Sequence, residues 1–255
     1  MIIRNEQERA TLVEAGKRLG VVLQKVAAAV KPGISAEELD DLAEQLIRDG
    51  GDEPAFLGYT PEGASRPYPA TLCVSINEEV VHGIPNEGTK ILKMGDIVGL
   101  DLGLTHGGII VDSAVTVAVG KTGAESEKLM RTTEEALYAG IEAAQVGNHI
   151  GDISHAIETV IKDAGFTVVR ELGGHGVGDL VHEEPFVPNA GRAGEGPELT
   201  EGMVLALEPI SSAGKASVIV APDGYTFRTK DGSRSAHFEH TILIEKSGPV
   251  IVTKV

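Results

Sequence analysis

The sequence has one cysteine, Cys73, and no tryptophan. A single cysteine excludes an intramolecular disulfide and fits a reducing compartment. Basic residues are also scarce, with 22 Lys and Arg against 38 Asp and Glu and a formal net charge of −16. That deficit argues against a broad nucleic-acid footprint, which needs a surplus of cations on one face. Nowhere do 18 apolar residues run together, and the opening "MIIRNEQERATLVEAGKRLG" contains no apolar signal core. The expectation is a soluble, cytoplasmic monomer with no membrane span and no sequence-specific nucleic-acid partner.

Glycine, by contrast, is abundant, at 32 of 255 residues against a usual share of roughly 7%. The glycines are scattered among apolar strands, which points to many tight turns inside folded structure. Length allows one large domain or two small ones. From Glu6 to about Val30, Leu12, Ala15, Leu19, Val22, Leu23 and Val26 recur at helical spacing. "KPGIS" breaks that helix, and Ser35 with Glu38 reads as a capping box opening a second, with a stripe of Leu39, Leu42, Ala43, Leu46 and Ile47. After a long loop, "TLCVSI", "DIVGLDLGL" and "GIIVDSAVTVAV" read as strands.

The same order then returns. A helix is expected from about Ala124 to Ala144, a break at "QVGNHIGDIS", a helix to Asp163, and strands from Thr167 onward. Four local pairs recur in one order: "LIRDGG" with "VIKDAG", "HGI" at His82 with "HGV" at His175, "GDIVGLD" with "GMVLALE", and "DSAVTVAVG" with "EHTILIEKSG". We read a duplication, with halves of about 1–120 and 121–255 forming one catalytic domain.

Each half supplies one histidine, one acid at a strand end and one acid opening a later strand. An acid within an apolar strand costs several kcal/mol to bury unless its charge is compensated. Packed face to face, two such halves bring Asp101, Asp112, Glu208 and Glu239 together near their axis. Four carboxylates cannot all ionise there unaided. Two divalent cations would balance them, and a set with many carboxylates and one imidazole suits Mn, Fe(II), Co or Zn. Such a pair is suited to hydrolysis.

"GGHGVGDLVHEEP" places His175 and His182 seven positions apart, a spacing that would share a helical face. Gly173, Gly174 and Gly176 would cost that helix roughly 1 kcal/mol each, so the segment reads as strand and loop. The two imidazoles then have different jobs.

These stretches together, with "NEEVVHGIP" and "TKDGSRSAHFEHT", resemble the bacterial type I methionine aminopeptidases over essentially the whole chain. The resemblance implies an α/β pita-bread fold, two pseudo-symmetric halves with a central antiparallel sheet flanked by helices. It implies that Asp101, Asp112, His175, Glu208 and Glu239 ligate two metal ions, Asp112 and Glu239 bridging them. It makes Glu208 the proton acceptor and donor, sets His182 on the substrate's carbonyl oxygen, and sets His82 on the scissile amide. It implies as substrate the N-terminal methionine of nascent polypeptides, before a small second residue, and transient ribosome contact is a further expectation of the family.

Only 26 positions separate His182 from Glu208, too few for the helical insertion of type II enzymes. No N-terminal extension precedes the first helix, so neither a zinc-binding region nor a prolidase-type extra domain is expected. Xaa-Pro aminopeptidases and dipeptidases share the ligand set and form the rival reading. A non-enzymatic pita-bread binding protein is the other, for which loss of a ligand is the discriminator; all five are present. The methionine pocket is expected at Tyr59, Tyr68, Cys73, Val181 and Tyr225. It departs from the family pattern in a longer Tyr59–Tyr68 spacing, in Val181 where Phe is frequent, and in Tyr225 where Trp stands. His149 and His155 are expected to be solvated or capping. His240 is expected to point away from the site and His237 to face it, while Glu183 and Glu184 read as surface or turn residues.

Overall fold

The computed structural model describes residues 1–254. Asn5 caps the first helix, α1 (Glu6–Ala29), its side chain accepting from the Glu8 N–H at 2.9 Å. The Ser35–Glu38 capping box opens α2 (Ala36–Asp49), in which Leu39, Ala43 and Ile47 are fully buried. Two more helices follow, α3 (Ala124–Ala143) and α4 (Ile150–Asp163). Each helix pair lies against the sheet and is followed by strands, so the same order occurs on both sides of residue 120.

Nine strands form the main sheet, all paired antiparallel. Its central seam joins the strand Ile109–Ala118 to the strand Glu239–Glu245, with Glu239 opposite Ala114 and His240 opposite Ser113. On one side lies Ile97–His106, in which Asp101 also faces Ala114. On the other lie Val204–Leu207 and then Gly173–Gly176, with Thr241, Ala206 and His175 in line across three strands.

Because side chains alternate faces along a strand, this register settles orientation. Asp112 and Ala114 share a face, and Asp101 and Glu239 flank Ala114 on it. Glu239, Thr241, Ala206 and His175 share that face too, and Glu208 follows Ala206 by two. Four carboxylates and one imidazole therefore project from one side of the sheet. His240, one position on, points to the other side, where its Nδ1 lies 2.8 Å from Thr253 Oγ1.

The segment around His175 shows why glycine is needed there. A Cβ on Gly174 would run into the Ala206 carbonyl oxygen, and one on Gly176 into that of Glu184. The strands can approach closely only without side chains at these points. Gly174→Ala is expected to cost about 1–3 kcal/mol, lowering Tm by about 2–4 °C for each kcal/mol. Thermal denaturation checks this; an unchanged Tm would mean the strands can part without penalty.

Candidate active site

The twelve residues expected from the sequence to form the site all line one cavity, joined by Phe56 and Pro61. At its floor, one ligand atom each of Asp112, His175 and Glu239 lie within 4.8 Å of one another. His175 Nε2 is 3.6 Å from Glu208 Oε1. The other ring nitrogen, Nδ1, lies 2.9 Å from the Gly176 carbonyl oxygen. A carbonyl only accepts, so Nδ1 carries the proton and Nε2 offers its lone pair to the acids.

Electrostatics follow from burial. Asp101, Asp112 and Glu239 are buried, and Glu208 keeps 14% of its side chain exposed. Burial holds the Asp101 carboxyl up at about 7, in spite of its Asp112 and Cys73 neighbours. Burial first, then the charge of neighbouring acids, pushes Asp112, Glu208 and Glu239 well above the usual carboxylate range. Burial, with His182 beside it, pushes His175 down to about 3, so it is neutral at physiological pH.

Asp101 Oδ1, Asp112 Oδ1, Glu239 Oε1 and His237 Nε2 are buried without a hydrogen-bond partner among the described residues. Such atoms are costly to leave unsatisfied, and the three oxygens, with the Nε2 lone pair of His175, are donors that divalent cations accept. The residues thus fit a metal centre.

Above this floor stand the other histidines. His82 has a φ of 57°, a left-handed conformation that a non-glycine side chain adopts at a cost and that recurs at functional sites. Burial, then His182, lowers its pKa to about 4. The His182 ring lies 4.4 Å from that of His175; the residue reaches solvent, and the partial cover over its ring lowers its pKa. Phe56, Tyr68, Cys73, Val181 and Tyr225 form a buried apolar cluster, with Tyr68 and Tyr225 edge to face at 5.2 Å. Cys73 is opposite Asp101 on the neighbouring strand, so the pocket adjoins the acids directly.

Residues 10–246 match the family model described as Metallopeptidase family M24. The chain belongs to that family. Within it, the chain is 45% identical to a methionine aminopeptidase of Aquifex aeolicus over 253 residues, 98% of each chain. A solved methionine aminopeptidase of Thermotoga maritima superposes with a TM-score of 0.94 at 42% identity, covering both chains fully. A Pyrococcus horikoshii prolidase shares the fold alone, with a TM-score of 0.75 at 23% identity over 64% of its length. The pita-bread fold expected from the resemblance is borne out. No helix among the described residues is long and apolar enough to cross a membrane.

Other residues of this M24 chain fall outside the cavity or were not foreseen. His149 occupies the N-cap position of α4, with its N–H donating to Asp152 at 2.7 Å, and His155 is exposed on that helix. His106 Nδ1 lies 2.6 Å from the buried Asp52. Glu184 is exposed, whereas Glu183 ties a turn, accepting from the N–H groups of Asp179 and Leu180 at 2.6 and 2.7 Å. His237 does face the acids, its Nε2 being 3.6 Å from Glu208 Oε2 and 3.7 Å from Glu239 Oε2. The spacing of two from Glu239 was its signal. Phe56 and Pro61 had none beyond flanking the expected Tyr59.

Proposed function

We propose that this chain is a cytoplasmic, monomeric methionyl aminopeptidase that removes the initiator methionine from nascent polypeptides, preferring a small second residue. The observation that carries the reading is the junction of an acid-rich, partnerless donor cluster with a buried apolar pocket holding Cys73. An unbranched thioether suits such a pocket, and sulfur packs well against aromatic edges.

Asp101, Asp112, His175, Glu208 and Glu239 would hold two divalent ions, Co, Mn, Fe or Zn. Bound there, they supply a lowered water pKa and a polarised carbonyl. The chain's own groups do the rest. Glu208, the acid with an open side, takes the proton of the attacking water and passes it to the leaving amine. His182 donates to the carbonyl oxygen as charge develops on it. His82 contacts the scissile amide from the other side. The free α-amino group of the substrate sits near Asp101, which confines cleavage to one unblocked residue. Tyr59, Tyr68, Val181 and Tyr225 enclose the methionine side chain with Cys73. On a chain of net charge −16, transient ribosome contact would use a local basic patch.

A Met-Ala-Ser peptide and an Ala-Pro dipeptide, each assayed with Mn(II) or Co(II), test the assignment. Release of methionine from the first is expected, and cleavage of the second alone would establish the Xaa-Pro reading instead.

A further inference from the structure

His182 is held by a phenol. Tyr59 Oη lies 2.9 Å from His182 Nδ1, and the two rings are 5.4 Å apart, tilted by 36°. Both partners line the cavity, and neither contact follows from sequence spacing.

The loop that carries Tyr59 is built to keep it there. The Tyr59 N–H donates to the Phe56 carbonyl at 3.0 Å, and the Tyr59 carbonyl accepts from the Tyr68 N–H at 2.8 Å. Gly58 N–H donates to the Tyr68 carbonyl at 2.9 Å, closing the base of the loop. Its far side is pinned by Arg66, which pairs with Glu87 and donates to the Asp223 carbonyl at 3.1 Å, while the Tyr225 hydroxyl donates to the Arg66 carbonyl. The lengthened Tyr59–Tyr68 segment thus returns Tyr59 to a fixed place.

A neutral imidazole has one donor and one acceptor nitrogen. Which it presents to the substrate depends on what the other nitrogen meets, and the Tyr59 phenol is placed to give its O–H to Nδ1. With Nδ1 accepting, the proton of His182 resides on Nε2. We propose that Tyr59 is a positioning residue that fixes His182 as the Nε2–H tautomer, so that the ring offers the substrate's carbonyl oxygen a donor. In the opposite tautomer Nε2 would present a lone pair to a developing negative charge, which opposes the reaction. The proposal rests on the role given to His182 above.

Tyr59→Phe removes the hydroxyl and keeps the ring. In zinc-loaded protein with 15N-labelled imidazoles, long-range 15N–1H NMR reads the His182 tautomer directly, its signals assigned with His182→Ala. The wild type is expected to show Nε2–H alone, and Tyr59→Phe a mixture. In manganese-loaded protein, kcat on Met-Ala-Ser is expected to fall by roughly 10- to 100-fold, the range for lost supporting hydrogen bonds. KM is expected to stay unchanged, because the lost interaction serves the transition state. An unchanged tautomer or an unchanged kcat overturns the proposal. Wild-type turnover by His182→Ala would instead overturn the role of His182, an outcome separate from the tautomer that Tyr59→Phe displays.

Discussion

Glu208→Gln is expected to lower kcat on Met-Ala-Ser by roughly 10²–10⁴-fold, the contribution of a positioned acid–base group. Glutamine keeps the length and planarity of the side chain but neither takes nor releases a proton. Glu208 is singled out by position: among the four clustered acids its side chain is the one with 14% exposure, while Glu239 opposite keeps 3%. It is also the acid that both His175 and His237 approach within 3.6 Å. Steady-state kinetics at saturating Mn(II) check the effect. A variant within tenfold of wild type would remove Glu208 from the proton path.

Chelation is the second large effect. A cation that binds only the folded chain stabilises it by about 2.7 kcal/mol at a hundredfold excess over Kd. At about 2–4 °C for each kcal/mol in a chain of this size, chelation is expected to lower Tm by about 5–10 °C. The pH dependence has a definite sign. Asp101 has its folded pKa raised to about 7, above its ordinary value, and its acid neighbours are raised too. The folded, metal-free chain therefore binds more protons than the unfolded one from about 4 upward, and the stability due to Asp101 is lost as pH rises to about 7. His175, depressed to about 3, works in the opposite sense up to its ordinary value. Above about 7 Asp101 is ionised, so cations displace fewer protons there than at lower pH. The Tm gain from added Mn(II) should therefore be larger at pH 8 than at pH 5.5. Differential scanning fluorimetry at both values tests it, and an equal gain would mean that Asp101 does not titrate between them.

Much of this was readable in the chain. The helices declared themselves by apolar spacing and the Ser35–Glu38 box. The acids stood out because "GLDLG", "LALEP" and "HFEHT" put charge where only apolar residues bury cheaply. Parity within a strand separated His237 from His240, a local property that sequence preserves. What lay hidden depends on loops closing over the sheet. Tyr59 reaches His182 across 123 positions, through a loop whose course is set by Arg66, Glu87 and Asp223. Pro61 enters the cavity by the same route. Glu183 read as a surface or turn residue, yet its carboxylate also meets the Met1 ammonium from the far end of the chain. No periodicity encodes such meetings.

The seam between Ile109–Ala118 and Glu239–Glu245 has a consequence for biogenesis. Asp112 and Glu239 are 127 positions apart (239 − 112), and no shorter segment of the chain contains both. A slip of one residue along the seam would turn one strand's acids to the opposite face. Hydrolytic competence thus requires a chain synthesised past Glu239 and this seam closed in register, so activity gained during refolding cannot precede closure of that junction.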